Sequence, residues 1–225
     1  AGLATVVSRK REAFGRCSES DTAGVELVAE VLSSDVICSG SENFVTNGYS
    51  TVLGGTSNTA KGNHSVIQSG TQNRVTGDAS VVSGGATNTV VGDFSSIGGG
   101  SKNRLTSKYG SIVGGSYNIV ISNYATILGG YRNVVNGRHG VVVGGSLNTA
   151  KGLHSVAMGQ SAYAKHEESL VLSFGGKTAG VCESQGANSI NVCADSFWIN
   201  DFNVGEIFDY LGSRRLQGEP PRIQR

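Results

Sequence analysis

The chain has 225 residues, a formal net charge of +1, 34 glycines, 2 prolines and 16% charged residues. Plentiful, regularly placed valine, isoleucine and leucine exclude a disordered chain, and a glycine period far longer than three excludes collagen. The small net charge leaves no broad basic field for nucleic acid, and apolar runs of only a few residues predict neither a transmembrane helix nor a signal peptide.

Residues 1–31 carry no repeat and read as an N-terminal cap or arm. Arg9, Lys10 and Arg11 are a solvated arm, and Ser20 to Leu32 is either a capped short helix or a strand covering the first coil.

Residues 32–173 are a repeat domain. Asn43, Asn58, Asn73, Asn88, Asn103, Asn118, Asn133 and Asn148 recur at an unbroken spacing of fifteen. Three residues ahead of them run Gly40, Gly55, Gly70, Gly85, Gly100, Gly115, Gly130 and Gly145. So long a fixed period is the mark of stacked structural repeats. Two places after a column of mostly serine come Ile37, Val52, Ile67, Val82, Ile97, Ile112, Ile127 and Val142, all β-branched, which predicts an inward core column. A second apolar column follows at Val45, Ala60, Val75, Val90, Leu105, Val120, Val135 and Ala150. Two short strands and two glycine-bearing turns per copy predict an all-β parallel solenoid of eight to nine 15-residue coils. Glycine suits the tight corners. Asparagine also tolerates left-handed backbone, and its amide is expected to bond the identical amide in the next coil, a structural ladder.

The positions flanking the core column should face outward, yet they include Val36, Leu53, Val66, Val81, Val113, Leu128, Val141, Val143, Val156 and Met158. A strand apolar on both sides is buried on both sides, so these residues are expected to form an oligomer face, interrupted near Ser96, Gly98 and Ser111.

The ninth copy, Ser155-Val156-Ala157-Met158-Gly159-Gln160-Ser161-Ala162-Tyr163-Ala164, resembles the Ser-Val-Ala-Ile-Gly-x-x-Ala-x-Ala unit of trimeric autotransporter adhesin heads. The earlier copies resemble its Ser-x-Val-x-Gly-Gly-x-x-Asn variant. The resemblance covers roughly residues 34 to 172 and implies a left-handed parallel β-roll, three of which associate into a trimer followed by a neck. The chain departs from the family in its Asn column and its cysteines, and it is expected to be a head module without the family's stalk and membrane anchor.

Residues 174–196 read as an irregular or disulfide-braced neck, with Cys182 and Cys193 as one possible pair and Cys17 and Cys38 as another. An even cysteine count without a CxxC pair argues against zinc and favours an oxidising compartment. Residues 197–225 predict a strand, a short helical stripe at Val204, Ile207 and Leu211, and a frayed tail, with Trp198 anchoring the junction. In a trimer that stripe would form a short coiled coil; in a monomer it would lie on the roll.

No catalytic, cofactor or metal site is expected. His64, His139 and His154 share a column with Tyr49, Phe94, Tyr109 and Tyr124, so their spacing follows the repeat and favours ring stacking over metal ligation. The repeated serines have no His and Asp gathered about one of them, and the glycines at 98 to 100 lack the Lys-Ser/Thr of a phosphate loop. A period of fifteen is not the period of six found in hexapeptide acyltransferases. The expected function is non-enzymatic: a rigid, homotrimeric structural or adhesive rod, extracellular or at the cell surface, with an organelle lumen also open. Its expected partners are its own copies and a glycan or matrix protein met by Tyr49, Tyr109, Tyr124, Arg74, Arg104 and Arg132. The alternatives are a scaffold subunit and, below it, an ice-binding solenoid whose threonine columns Arg74, Arg104 and Lys61 interrupt; a solenoid enzyme ranks last. Asn63-His64-Ser65 is one N-glycosylation motif.

Overall fold

The computed structural model describes residues 35–46, 48–175, 181–195, 198–199 and 202–203. Each coil contributes one short strand to each of two parallel sheets. The first sheet has eleven strands, from Val36–Ile37 to Ile190–Cys193, and the second has ten, from Phe44–Val45 to Cys182–Glu183. Sequence order alternates between them, so neighbours within a sheet lie one coil apart. Val82 pairs with Ile97 in the first sheet and Val90 with Leu105 in the second. The result is an all-β parallel solenoid of about nine coils of about fifteen residues, with no helix among the described residues. A third row of parallel bridges, from Ser41↔Thr56 to Tyr131↔Ser146, joins the coils between the two sheets.

Most strands are two residues long, one facing outward and one facing in. A strand so short has no stability of its own, and its backbone bonds run to the neighbouring coil: Val81 N donates to Ser95 O at 2.9 Å and Ser83 N to Ile97 O at 3.0 Å. The inward residues of the two sheets meet as a continuous core. From Val52 to Val142 the first column is fully buried, and it faces the second column from Val45 to Ala150. Each buried valine, leucine or isoleucine stabilises the fold by roughly 1.5 to 3 kcal/mol, repeated at every coil. Ile37, at the end of the described stack, is only partly buried.

Polar columns close the core at two corners. At one stand the asparagines, buried and fully bonded. The side chain of Asn103 accepts from the Asn118 backbone N–H at 3.0 Å, and its Nδ2 donates to Gly99 O at 3.0 Å and to Gly115 O at 2.8 Å. The expected amide-to-amide ladder is thus corrected. Each amide bonds backbone groups in its own coil and the next, because a peptide group left without a partner in the core costs more than a missing side-chain pair.

The ladder asparagines do not adopt positive φ; the glycines do, joined by two non-glycine columns, one from Glu42 to Leu147 and the other from Tyr49 to His154. At Gly85, φ is +88°, and an added Cβ would lie 2.0 Å from Gly100 O and 2.8 Å from Asn88 Nδ2. Glycine is required there by the next coil as much as by its own dihedral.

The other polar corner is serine. Ser50, Ser65, Ser80, Ser95 and Ser155 are buried, with Ser80 Oγ donating to Gly92 O at 2.9 Å and accepting from Ser95 N at 3.1 Å. Gly110, Ala125 and Gly140 interrupt this column.

Both sheets continue past residue 173. Val156 pairs with Leu170 and Leu170 with Ile190, so a shortened coil is followed by a lengthened one, whose added residues fall between Ser173 and Cys182. Part of the segment read as a neck therefore forms another coil, clipped by a Cys182–Cys193 disulfide. Cys38 is disulfide-bonded as well, while Cys17 lies outside the described residues. Trp198–Ile199 pairs antiparallel with Phe202–Asn203. The N-terminal cap, the helical stripe from Val204 to Leu211 and the tail also lie outside the described residues.

Candidate functional site

The coil repeat turns sequence columns into surface stripes, and four stripes carry side chains able to meet a partner. The outward face of the first sheet is uncharged from Val36 to Leu172, with only small, polar or aliphatic side chains. Leu53 is 44% exposed, Val113 56%, Leu128 47% and Val143 39%. Val36, Val66, Val81, Val141, Val156 and Met158 are half-buried beside them. All residues expected on an oligomer face therefore lie on one sheet, and the polar interruption at Ser96, Gly98 and Ser111 lies among them.

The second sheet carries the opposite character. Every charged residue facing outward from it between Phe44 and Lys165 is a cation: Lys61, Arg74, Arg104, Lys151 and Lys165. Thr59, Thr76, Thr89 and Thr106 separate them. Next to this sheet, at the asparagine corner, a positive-φ column presents Lys102, Tyr117 and Arg132. Lys102 Nζ donates to the Tyr117 hydroxyl at 2.7 Å and lies 4.9 Å from its ring centroid, while Arg132 covers Tyr117 at 5.7 Å and Tyr131 at 5.1 Å.

The serine corner bears an aromatic ladder on its outer side. Phe94, Tyr109, Tyr124 and His139 stack at 4.9 to 5.1 Å between centroids and within 10° of parallel, and His154 continues the row at 5.0 Å with a 40° tilt. Tyr49 and His64 form a separate stack at 5.0 Å, cut off by Ala79. All of these residues adopt left-handed backbone, with φ between 50° and 60°. That conformation turns the amide toward the previous coil, as when Phe94 N donates to Asp78 O at 2.8 Å and Tyr109 N to Asp93 O at 3.0 Å. Ring stacking and this reversed bond offset a conformational cost of roughly 1 to 2 kcal/mol per residue.

The histidines thus serve the row of rings. Among the described residues, no three His, Cys, Asp or Glu side chains come together as a metal-binding group. Beside the ladder, Lys108 lies 2.9 Å from Asp93. That hydrogen bond holds the Asp93 carboxyl below its ordinary range and the Lys108 ammonium above its own. Asn63 of the glycosylation motif lies exposed at the same corner, its N–H donating to Asp78 Oδ1 at 2.8 Å.

The structure divides the contact set expected from the sequence. Tyr49, Tyr109 and Tyr124 lie on the serine corner, Arg74 and Arg104 on the second sheet, and Arg132 at the asparagine corner. Sequence reasoning missed Lys102 and Tyr117, whose shared column was the available signal. No family model matches the chain, and no curated protein matches it.

Proposed function

We propose that the chain is a non-enzymatic, self-associating rod, a homotrimer built through the outward face of the first sheet, that serves surface attachment or assembly outside the cytoplasm. The observation that carries this reading is the uncharged stripe. Val141, Val143, Val156, Met158, Leu170 and Leu172 stand on three adjacent strands, so their side chains adjoin as one apolar surface along the axis. A monomeric soluble protein rarely leaves such a surface to water. Closed cyclic symmetry would let identical stripes cover one another, and the resemblance to adhesin heads supplies the number three. The rod's regularity suits a display role, since a surface repeated along an axis and across subunits multiplies weak contacts. The Cys182–Cys193 disulfide supports an oxidising compartment.

Sedimentation equilibrium of the purified chain tests the reading. Three chain masses are expected, and Val141→Asp with Val143→Asp should release folded monomers that keep their β-sheet signal, because burying unpaired carboxylates at the contact is costly. A wild-type chain that sediments as a monomer across the accessible concentration range would remove the proposal.

A further inference from the structure

The chain's small net charge conceals a segregated one. We propose that the basic strip formed by Arg74, Lys102, Arg104 and Arg132 binds a linear acidic polysaccharide laid parallel to the rod axis, with one carboxylate per disaccharide. Arg74 and Arg104 flank Thr89 on the second sheet, and Lys102 stands beside Arg104 in the same coil. Arg132 follows two coils further along the adjoining column. Within this strip cationic rows recur at every second coil, roughly 10 Å apart at the spacing of parallel strands, and Lys61 in the coil before Arg74 and Lys151 in the coil after Arg132 extend the positive charge at its two ends. The rows between the cationic ones are uncharged, with Thr87 and Thr89 in one and Tyr117 and Ile119 in the other, hydroxyls and an apolar patch that suit a neutral sugar.

The strip is charged, exposed and pre-positioned. Among the described residues, neither Arg74 nor Arg104 has an acidic side chain at ion-pair distance. Lys102 and Arg132 rest on the Tyr117 ring, which restrains the side chains while leaving their charge unneutralised. A small anion needs several cations converging on one point, whereas these are spread along a line. A nucleic acid strand carries a charge about every 3.4 Å, more densely than the cationic rows. A polymer alternating a uronic acid with a neutral sugar has its charge on every second unit, as the strip from Arg74 to Arg132 has its cations on every second coil. The strip lies away from the uncharged sheet, so the inference does not rest on self-association.

The test is equilibrium binding of the full chain to immobilised hyaluronan, with neutral dextran and a single-stranded oligonucleotide as comparators and sedimentation in the same buffer. Hyaluronan should bind at low ionic strength and be released by about 0.5 M salt, which screens exposed charges over a few ångströms. Dextran should not bind, and the oligonucleotide should bind more weakly. Arg74→Ala with Arg104→Ala should lower hyaluronan affinity about tenfold, the combined effect of two exposed charge contacts. Lys108→Ala with Arg138→Ala should leave it unchanged: both are exposed cations of the serine corner, Lys108 beside Asp93 and Arg138 over the Tyr124 ring, and the pair removes the same charge. If the first pair loses its β-sheet signal, Arg74→Gln with Arg104→Gln replaces it. The proposal is overturned by absence of hyaluronan binding, by equal losses from the two double variants, or by an oligonucleotide bound as tightly as hyaluronan. Sedimentation reports the oligomeric state separately, so loss of one reading leaves the other standing.

Discussion

The two polar corners of the coil solve the same problem with different strictness. At the asparagine corner, eight successive coils use the same residue, and at the serine corner the column lapses to Gly110, Ala125 and Gly140 while the outer ring column lapses to Ala79. The difference follows from what each side chain must satisfy. One asparagine meets a backbone N–H and two carbonyls, so it joins three peptide groups from its own coil and the next. A serine hydroxyl has a single proton to donate: Ser80 and Ser95 each share it between two carbonyls while accepting one N–H, and Ser155 gives it to one carbonyl. Where the serine is missing a neighbour can move in: a Cβ on Gly110 would stand 2.4 Å from Ser107 Oγ, the one buried side-chain polar atom without a partner among the described residues. The outer rings satisfy no buried peptide group: they stack on one another, and Arg138 covers the Tyr124 ring at 5.4 Å. Uniformity therefore tracks the number of buried peptide groups that depend on a side chain.

Breaking the strict corner should have the largest effect. Gly85→Ala places a methyl group 2.0 Å from Gly100 O at a positive φ, and should cost more than about 4 kcal/mol in chemical denaturation. Asn103→Ala leaves the Asn118 N–H and the Gly99 and Gly115 carbonyls short of a partner, an expected loss of about 3 kcal/mol in the same assay. The lenient corner should respond in the opposite direction. Ser107→Ala removes an unsatisfied buried hydroxyl and should stabilise by about 1 kcal/mol. Ala79→Tyr should join the His64 and Phe94 ends of the two stacks into one row and raise the melting temperature by a few degrees, for a gain of up to about 1 kcal/mol. A loss of stability from either of the last two would mean that the serine corner is as constrained as its counterpart.

Much of this architecture was legible because the period writes it repeatedly. The core columns, the glycine corners and the outward apolar stripe each follow from residue type at a fixed place in the coil. The direction of the bonds was less legible. Asparagine spacing is the same whether amides bond one another or the backbone, and the choice depends on carbonyl positions that no residue type announces. The left-handed columns were hidden for a related reason: Tyr, His, Phe, Lys and Arg are poor indicators of positive φ, and here stacking and a reversed hydrogen bond hold them there. The coil beyond residue 173 lacked the Asn and Gly markers, since Ala162 pairs with Cys182 at a sequence step longer than the repeat's fifteen. The basic strip needed the fold, because Lys102 and Arg104 belong to different columns and Arg74 and Arg132 to different coils.

Backbone hydrogen exchange of the asparagine column is the most direct test that one side chain per coil fastens each winding to the next. The Asn58, Asn73, Asn88, Asn103, Asn118, Asn133 and Asn148 amides should exchange only through global opening, and Asn103→Ala should strip protection from Asn118 first. Exchange of the wild-type column at the rate of an unbonded peptide would contradict that fastening.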